Sequence, residues 1–378
     1  MNRIELPLAT AYIEKLRDTP QNPRYHREGN VLTHTLKVLE KYYELRDRFT
    51  LSEEEKKILY WAAILHDIGK PEATVFEDGR WTSPGHEKAG LPIARSILLQ
   101  QEDISDESRR RILNLVRWHG VPLRWCINKR PISELKELGT QTDLRLLGIF
   151  SVFDFHGREC EKQEETIAMI EKFQSLYVPK AEYELGKFDH LQSTYSSLSD
   201  KLKSAAWNAV KLRNIPLLER LLEADGQAPA SPFRNQVYLT IGPPLAGKSS
   251  YLKEQFPDAF HIDLKEFALT EDAAKDDFYI ERKAVEFKHF LRIYLRRHPR
   301  IVVEGRNVDT RIRKELNEAI RQFPVQLNYL VFESSLEDLL SRNSEQEKPI
   351  EEAVIREQYH QMDVFHPWEA HNLTWIRS

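Results

Sequence analysis

Cysteine is nearly absent: Cys126 and Cys160 are the two in a chain of 378 residues. Two cysteines make neither a disulfide framework nor a multi-cysteine zinc cluster, and they fit a reducing compartment as plain buried thiols. Long apolar runs are absent too. No segment approaches the roughly 18 apolar residues needed to cross a bilayer, and the amino terminus lacks the basic, apolar, small-residue order of a signal peptide. The expectation is a soluble, cytoplasmic protein with no membrane partner. A large charge of one sign is also missing. The formal net charge of -4 argues against non-specific coating of nucleic acid, while local basic runs such as RWCINKRP and YLRRHPR remain. What the chain does have is length and 41% hydrophobic residues, enough to bury ordinary cores in two domains.

From residue 30 to about 225, apolar residues recur at three- and four-residue intervals, as in VLTHTLKVLEKYYEL and EEEKKILYWAAILHDIGK. That is the amphipathic helix period, so the first half reads as nearly all helix. ADGQAPASPFRNQ, Ala224 to Gln236, is rich in breakers and small polar residues and reads as a linker. After it, the β-rich runs VYLTI, AFHID, RIVVEG and QLNYLVFES alternate with helix-period segments, the pattern of a parallel sheet flanked by helices. The predicted organisation is an all-α domain over 1–175, a helical connector and linker over 176–234, and an α/β domain over 235–378.

In VYLTIGPPLAGKSS an apolar strand runs into a GxxxxGKS loop, and a helix is expected to start at Lys248. In that context the loop from Gly242 through Pro243, Pro244, Leu245, Ala246 and Gly247 to Lys248, Ser249 and Ser250 is a phosphate cradle. Its backbone N–H groups turn toward phosphate oxygens, Lys248 reaches the β and γ phosphates, and the Ser249 hydroxyl ligates Mg²⁺. The competing reading is a chance glycine turn. Asp263 ends the next strand at the carboxyl edge of the sheet, where it either takes the proton of an attacking hydroxyl or merely caps the following helix. Glu304 ends another strand, with Arg306 and Asn307 after it. Arg342 follows a leucine-bearing helix, either to close on a transferring phosphoryl group or to complement the helix dipole.

Residues 235 to 378 resemble the polynucleotide 5'-hydroxyl kinase family of P-loop phosphotransferases. The resemblance rests on the GxxxxGKS loop, the strand-ending Asp263, the acidic strand end followed by Asn, Arg342, and FHPWE near the carboxyl end. It implies that Lys248 and Ser249 hold the phosphates and Mg²⁺ of an NTP, ATP or GTP, that Asp263 is the general base for a ribose 5'-hydroxyl, and that Arg342 is a lid arginine. Two departures stand out. The position three residues after the aspartate, often arginine in that family, is Glu266 with Lys265 beside it, and the family's DNxN pattern reads Glu304, Gly305, Arg306, Asn307.

The first half carries a second set. AAILHDIGKP places His66 and Asp67 at the end of a periodic helix whose expected terminator is Gly69. His34, His86, His119 and Asp154 complete the order H, HD, H, H, D. Nitrogen and carboxylate ligands drawn from separate helices bind one or two divalent transition metal ions, whose charge lowers the pKa of water and polarises a phosphoryl oxygen. The set resembles the HD phosphohydrolase superfamily over residues 24 to 175. That resemblance implies one metal held by His34, His66, Asp67 and Asp154, and a second completed by His86 and His119 sharing Asp67. Lys70 and Arg158 are either phosphate-neutralising groups or surface charge. His26, His156 and Glu87 occupy no motif position and are expected to be ordinary polar residues.

An HD domain followed by a polynucleotide kinase is similar to the HD-Pnk family of dual end-healing enzymes. The resemblance implies phosphorylation of 5'-OH ends of RNA or DNA, removal of 2',3'-cyclic, 3' and 2' phosphates, and an RNA ligase acting downstream. The alternative is a nucleotide-metabolism enzyme pairing a nucleotide phosphohydrolase with a nucleoside or small-alcohol kinase. A third reading is a regulatory module in which nucleotide occupancy gates hydrolysis.

Overall fold

A computed structural model describes residues 6–139, 141–181, 235–270, 276–323, 325–365, 369–370 and 372–377. The chain divides into two compact units, Met1–Leu185 and Gly186–Ser378. Most of the connector expected over 176–234, and His366, Pro367 and Trp368 of FHPWE, lie outside the described residues.

The first unit is helical: α1 (Thr10–Asp18), α2 (Val31–Leu45), α3 (Glu53–Leu65), α4 (Lys70–Ala73), α5 (His86–Leu99), α6 (Asp106–Trp118), α7 (Val121–Ile127), α8 (Ile132–Gly139), α9 (Leu144–Gly157) and α10 (Gln163–Lys172). Local chemistry sets the starts. Asn30 caps α2 by accepting from the Thr33 N–H, and Ser52 and Glu55 form a reciprocal capping box on α3. Helix α2 buries Val31, His34, Thr35, Val38, Leu39 and Tyr42, a stripe at the helical period that carries His34 into the interior. Helix α9 is buried on every side and delivers Asp154 from its last turn. Each fully buried Leu, Ile or Val adds about 1.5–3 kcal/mol of transfer free energy, which holds the ligand-bearing helices in register.

Two expectations for this half need correction. The unit also holds a two-stranded antiparallel hairpin, β1 (Val75–Glu77) and β2 (Arg80–Thr82). Its tip, Asp78-Gly79, has both φ angles positive, the geometry that an Asp-Gly pair adopts in tight hairpins. Gly69 is not the terminator of α3. That helix ends at Leu65, and Gly69 has φ -87. A Cβ there would lie 2.3 Å from His86 O and from Gly90 N, so glycine is required because the turn after Asp67 lies directly against α5.

The second unit is α/β. Five strands, β3 (Asn235–Ile241), β4 (Phe260–Asp263), β5 (Arg300–Glu304), β6 (Val325–Glu333) and β7 (Asn372–Arg377), pair in the order β4-β5-β3-β6-β7, all parallel. Strand β7 adds an edge that the sequence reading did not include. Helices α11 (Lys248–Gln255), α12 (Asp277–Tyr294), α13 (Thr310–Ile320), α14 (Leu336–Ser344) and α15 (Glu352–Gln361) cover it. Alternate residues of β5 face opposite cores: Ile301 and Val303 pack with Phe287 and Leu316, while Val302 packs with Leu252, Leu339 and Tyr359. Strand β3 is central, with β4 and β5 to one side and β6 and β7 to the other. The carboxyl ends of β3 and β5 therefore form the switch point where open α/β sheets bind ligands. Among the described residues no helix is long and apolar enough to cross a membrane.

Candidate functional site

The six residues of the H, HD, H, H, D order converge in the first unit. Asp67 is the centre: its Oδ2 lies 3.3 Å from His66 Nε2 and 3.7 Å from His34 Nε2, and its Oδ1 lies 3.2 Å from His86 Nε2 and 3.5 Å from His119 Nε2. Asp154 Oδ1 lies 3.0 Å from His34 Nε2. Two overlapping groups result, His34–His66–Asp67 and Asp67–His86–His119, sharing one carboxylate.

Every histidine presents the same nitrogen. His66, His86 and His119 each donate Nδ1–H to a backbone carbonyl three residues earlier, those of Ala63, Ser83 and Val116, at 3.1, 2.8 and 2.9 Å. His34 Nδ1 lies 3.0 Å from Glu28 Oε1, close enough for an ion pair but not aligned as a hydrogen bond. Fixing the proton on Nδ1 leaves Nε2 as a lone pair aimed inward, the arrangement of ligating imidazoles. Buried His66 Nε2 has no hydrogen-bond partner, and His86 Nε2 and His119 Nε2 sit 3.2 Å apart. With metal–nitrogen distances of about 2.0–2.1 Å, two nitrogens on one ion fall roughly 3 Å apart, so this donor set fits a divalent transition metal.

Electrostatics agree with that fit. Burial would raise the Asp67 pKa, but the Lys70 charge beside it, followed by the surrounding imidazoles, holds the carboxyl well below its usual range. Burial likewise opposes ionisation of Asp154, and the Arg158 and His34 side chains outweigh it. Both carboxylates stay charged while buried, which is the form that coordinates a cation. Lys70 Nζ pairs with Asp67 Oδ2 at 2.7 Å and donates to Gln21 Oε1 at 2.6 Å. Arg158 Nη2 donates to both oxygens of Asp154 at 3.1 and 3.0 Å. Neither is surface charge.

Sequence reasoning missed Glu28. Its Oε1 faces both His34 Nδ1 and His26 Nδ1, the latter at 2.8 Å, and its Oε2 accepts from the Glu159 N–H at 3.0 Å. His26, taken as an ordinary polar residue, is a buried member of this chain of contacts; burial first, then the Arg158 charge, lowers its pKa to about 3. His156 binds Glu171 at 3.2 Å, away from the cluster, whereas Glu87, taken as an ordinary polar residue, is buried in the cleft wall, pairs with Arg124 at 2.7 Å and lies 3.5 Å from His86 Nδ1. The only advance signal for Glu28 was its place six residues before His34. A cleft of about 480 Å³ opens over the cluster, with Asp67, His86, His119, Asp154, Lys70 and Arg158 in its lining.

In the second unit the GPPLAGKSS loop joins the carboxyl end of β3 to α11, which begins at Lys248. Gly242 has φ +155, and a Cβ there would meet Phe332 at 2.9 Å, so the loop needs glycine to turn beside β6. Lys248 Nζ donates to Gly242 O and Pro243 O at 2.9 and 2.6 Å, folded over the loop's own carbonyls. The Ser249 hydroxyl donates to Glu304 Oε1 at 2.5 Å, and Glu304 is the register partner of Asp263 on the neighbouring strand. Arg342 Nη1 donates to Leu245 O at 3.0 Å, which brings the arginine onto the loop itself. Asp263 Oδ1 accepts from the Lys265 N–H at 2.9 Å, so the capping role is filled by one of its two oxygens. Asn307 turns away from the loop mouth: it is buried and donates to Thr240 O at 2.8 Å.

Residues 31–154 match the HD domain family model, and these bounds enclose all six clustered residues from His34 to Asp154. Over 126 residues the chain is 32% identical to a protein named Multifunctional CCA protein from Thioalkalivibrio sulfidiphilus (strain HL-EbGR7), a stretch covering 33% of this chain and 28% of that protein. The chain thus carries an HD domain at its amino-terminal side, which together with the His/Asp cluster points to a metal-dependent phosphohydrolase.

Proposed function

We propose that this protein heals broken nucleic-acid ends, removing 2',3'-cyclic, 3' and 2' phosphates at the HD site and phosphorylating 5'-OH ends at the GPPLAGKSS loop. The observation that carries this reading is the coexistence in one chain of a six-residue His/Asp cluster and a glycine loop whose Ser249 faces Glu304. RNA broken by transesterification presents both substrates, a 5'-OH and a 2',3'-cyclic phosphate. RNA or DNA strand ends and an NTP are the proposed partners, and a ligase that joins healed ends is the proposed consumer of the product.

On the HD side, His34, His66, Asp67 and Asp154 would hold one ion and His86 and His119, with Asp67, a second. The bound ions supply an activated water and charge neutralisation at the phosphoryl group. Lys70 and Arg158 face the same cleft and offset the charge that builds on the phosphoryl oxygens as the P–O2' or P–O3' bond breaks. Glu28 and the three backbone carbonyls hold the imidazoles in the ligating tautomer.

On the kinase side, a ribose 5'-oxygen forms a bond to the γ-phosphorus while the bond to the β,γ-bridging oxygen breaks, and the hydroxyl proton passes to Asp263. Lys248 exchanges its loop carbonyls for phosphate oxygens. Ser249, whose hydroxyl now donates to Glu304, would hold Mg²⁺, and Arg342, already on the loop, neutralises the transferring group.

The test is an RNA oligonucleotide with a 5'-OH and a 2',3'-cyclic phosphate, incubated with NTP and divalent metal and read by end-group analysis. Change at both ends supports the reading. Unchanged ends alongside turnover of small nucleotides would replace it with the nucleotide-metabolism reading.

A further inference from the structure

The walls of the HD cleft carry side chains that phosphate removal alone does not call for. We propose that the cleft is a nucleoside subsite, in which the rings of Trp81 and Tyr25 hold the base of the terminal nucleotide and Arg80 takes the phosphate linking that nucleotide to the rest of the strand. This rests on the reading of the floor as a phosphoester site and adds what the substrate must present to it.

Three observations carry it. First, the cleft volume of about 480 Å³ falls within the roughly 300–1,000 Å³ of small-molecule sites and exceeds what a bare phosphate fills. Its lining pairs the charged floor with the aromatic rings of Tyr25 and Trp81 and the apolar Leu123 and Ile127. Tyr25 and Ile127 are 49% and 59% exposed, so their apolar surface is spent on the cleft and not on the core. Stacked rings and apolar flanks are how proteins hold single-stranded bases of any sequence.

Second, the hairpin that presents Trp81 is tied to the floor. It spans the stretch between Lys70 and His86, its ends are joined by the Thr74–Ser83 hydroxyl contact at 2.8 Å, and the Ser83 carbonyl accepts from His86 Nδ1. Phe76 packs edge-on against Trp81 from the opposite strand, with ring centroids 4.9 Å apart. A base stacked on Trp81 is therefore held at a fixed offset from the cluster through two hydrogen bonds. Third, Arg80 lines the cleft and its side chain makes no hydrogen bond or ion pair among the described residues, whereas Arg124 on the same cleft is occupied by Glu87. A guanidinium with no ion pair among the described residues, one position along the strand from Trp81, suits a phosphodiester at the rim of the cleft.

The experiment compares two RNA oligonucleotides, one ending in a 3'-phosphorylated adenosine and one in a 3'-phosphorylated abasic ribose, with wild type, Trp81→Ala, Trp81→Phe and Arg80→Gln. Binding of adenosine 3'-monophosphate and of inorganic phosphate to metal-free protein is measured in parallel by calorimetry. Wild type should favour the base-bearing end about tenfold in kcat/KM, carried by KM; Trp81→Ala should collapse that preference toward one and Trp81→Phe restore most of it. Arg80→Gln should weaken the oligonucleotide about tenfold more than the mononucleotide. Equal kcat/KM for both ends in wild type, or a preference untouched by Trp81→Ala, overturns the proposal. If wild type removes phosphate from neither end, the phosphoester reading fails on its own. Calorimetry then decides the subsite: adenosine 3'-monophosphate binding that Trp81→Ala abolishes upholds it, and binding no tighter than phosphate overturns it.

Discussion

His86 Nε2 and His119 Nε2 face each other across 3.2 Å, each with its other nitrogen committed to a backbone carbonyl. Two lone pairs at that separation repel unless a cation or a proton lies between them. The structure thus places the demand for a positive charge at a definable point, beside Asp67 Oδ1.

Glu28 holds His34 from behind, and its removal should loosen the ion without touching a ligand. For Glu28→Gln, titration calorimetry with Mn²⁺ should show affinity at the HD site reduced about 10–100-fold, with far-UV circular dichroism unchanged. Wild-type affinity in this variant would mean that the Glu28–His34 contact is incidental.

Gly69→Ala puts a methyl group where His86 O and Gly90 N stand 2.3 Å away. Both obstacles are backbone, so α5 must move and take His86 with it. Thermal unfolding should show a loss of about 2–3 kcal/mol, together with weakened metal binding. Gly79→Ala at the hairpin tip, where a Cβ meets nothing within 4 Å but φ is +72, should cost less and leave metal affinity intact.

Ser249 and Glu304 form one unit at the carboxyl edge of the second sheet. Ser249→Ala and Glu304→Gln are each expected to reduce phosphate transfer at least tenfold, and the double variant should fall well short of the product of the two losses. Steady-state kinetics over a range of Mg²⁺ checks this; fully multiplicative losses would separate the two residues.

Burial raises the Cys126 thiol pKa from 9.0 to about 11. The folded state therefore keeps this proton between pH 9 and 11, where the unfolded chain loses it, so the contribution of Cys126 to stability falls as pH rises through that window. Iodoacetamide labelling of Cys126, followed by mass spectrometry, should become half-maximal near pH 11. Both cysteines are half-buried, not the fully buried thiols expected from the sequence, and a midpoint near 9 would contradict even that partial burial of Cys126.

Much of this architecture was legible in the sequence because it depends on local patterns. The apolar period placed α2 and α3, and the strand–glycine loop–helix order placed GPPLAGKSS, whereas α9 is apolar on every side and shows no such period. The six clustered His and Asp positions could be singled out because each sits at a helix end or on a buried stripe. What escaped depends on contacts between distant segments. Glu28 precedes its partner in a loop with no motif, and only packing brings it behind His34. Gly69 looked like a helix terminator because its real constraint, the backbone of α5, lies about twenty residues downstream. The hairpin was missed although Asp78-Gly79 signals one, since the helical period on either side dominated the reading. Strand β7 is short, half-exposed and at the sheet edge, so its pattern is weak.

The central claim is that one chain holds two independent phosphoryl sites, and it is tested most directly by wild type, Asp67→Ala and Lys248→Ala acting on one RNA with a 5'-OH and a 2',3'-cyclic phosphate. End-group analysis should show Asp67→Ala losing only removal of the 3'-side phosphate and Lys248→Ala losing only 5' phosphorylation. Loss of both reactions in either well-folded variant, or a wild type that alters only one end, would contradict it.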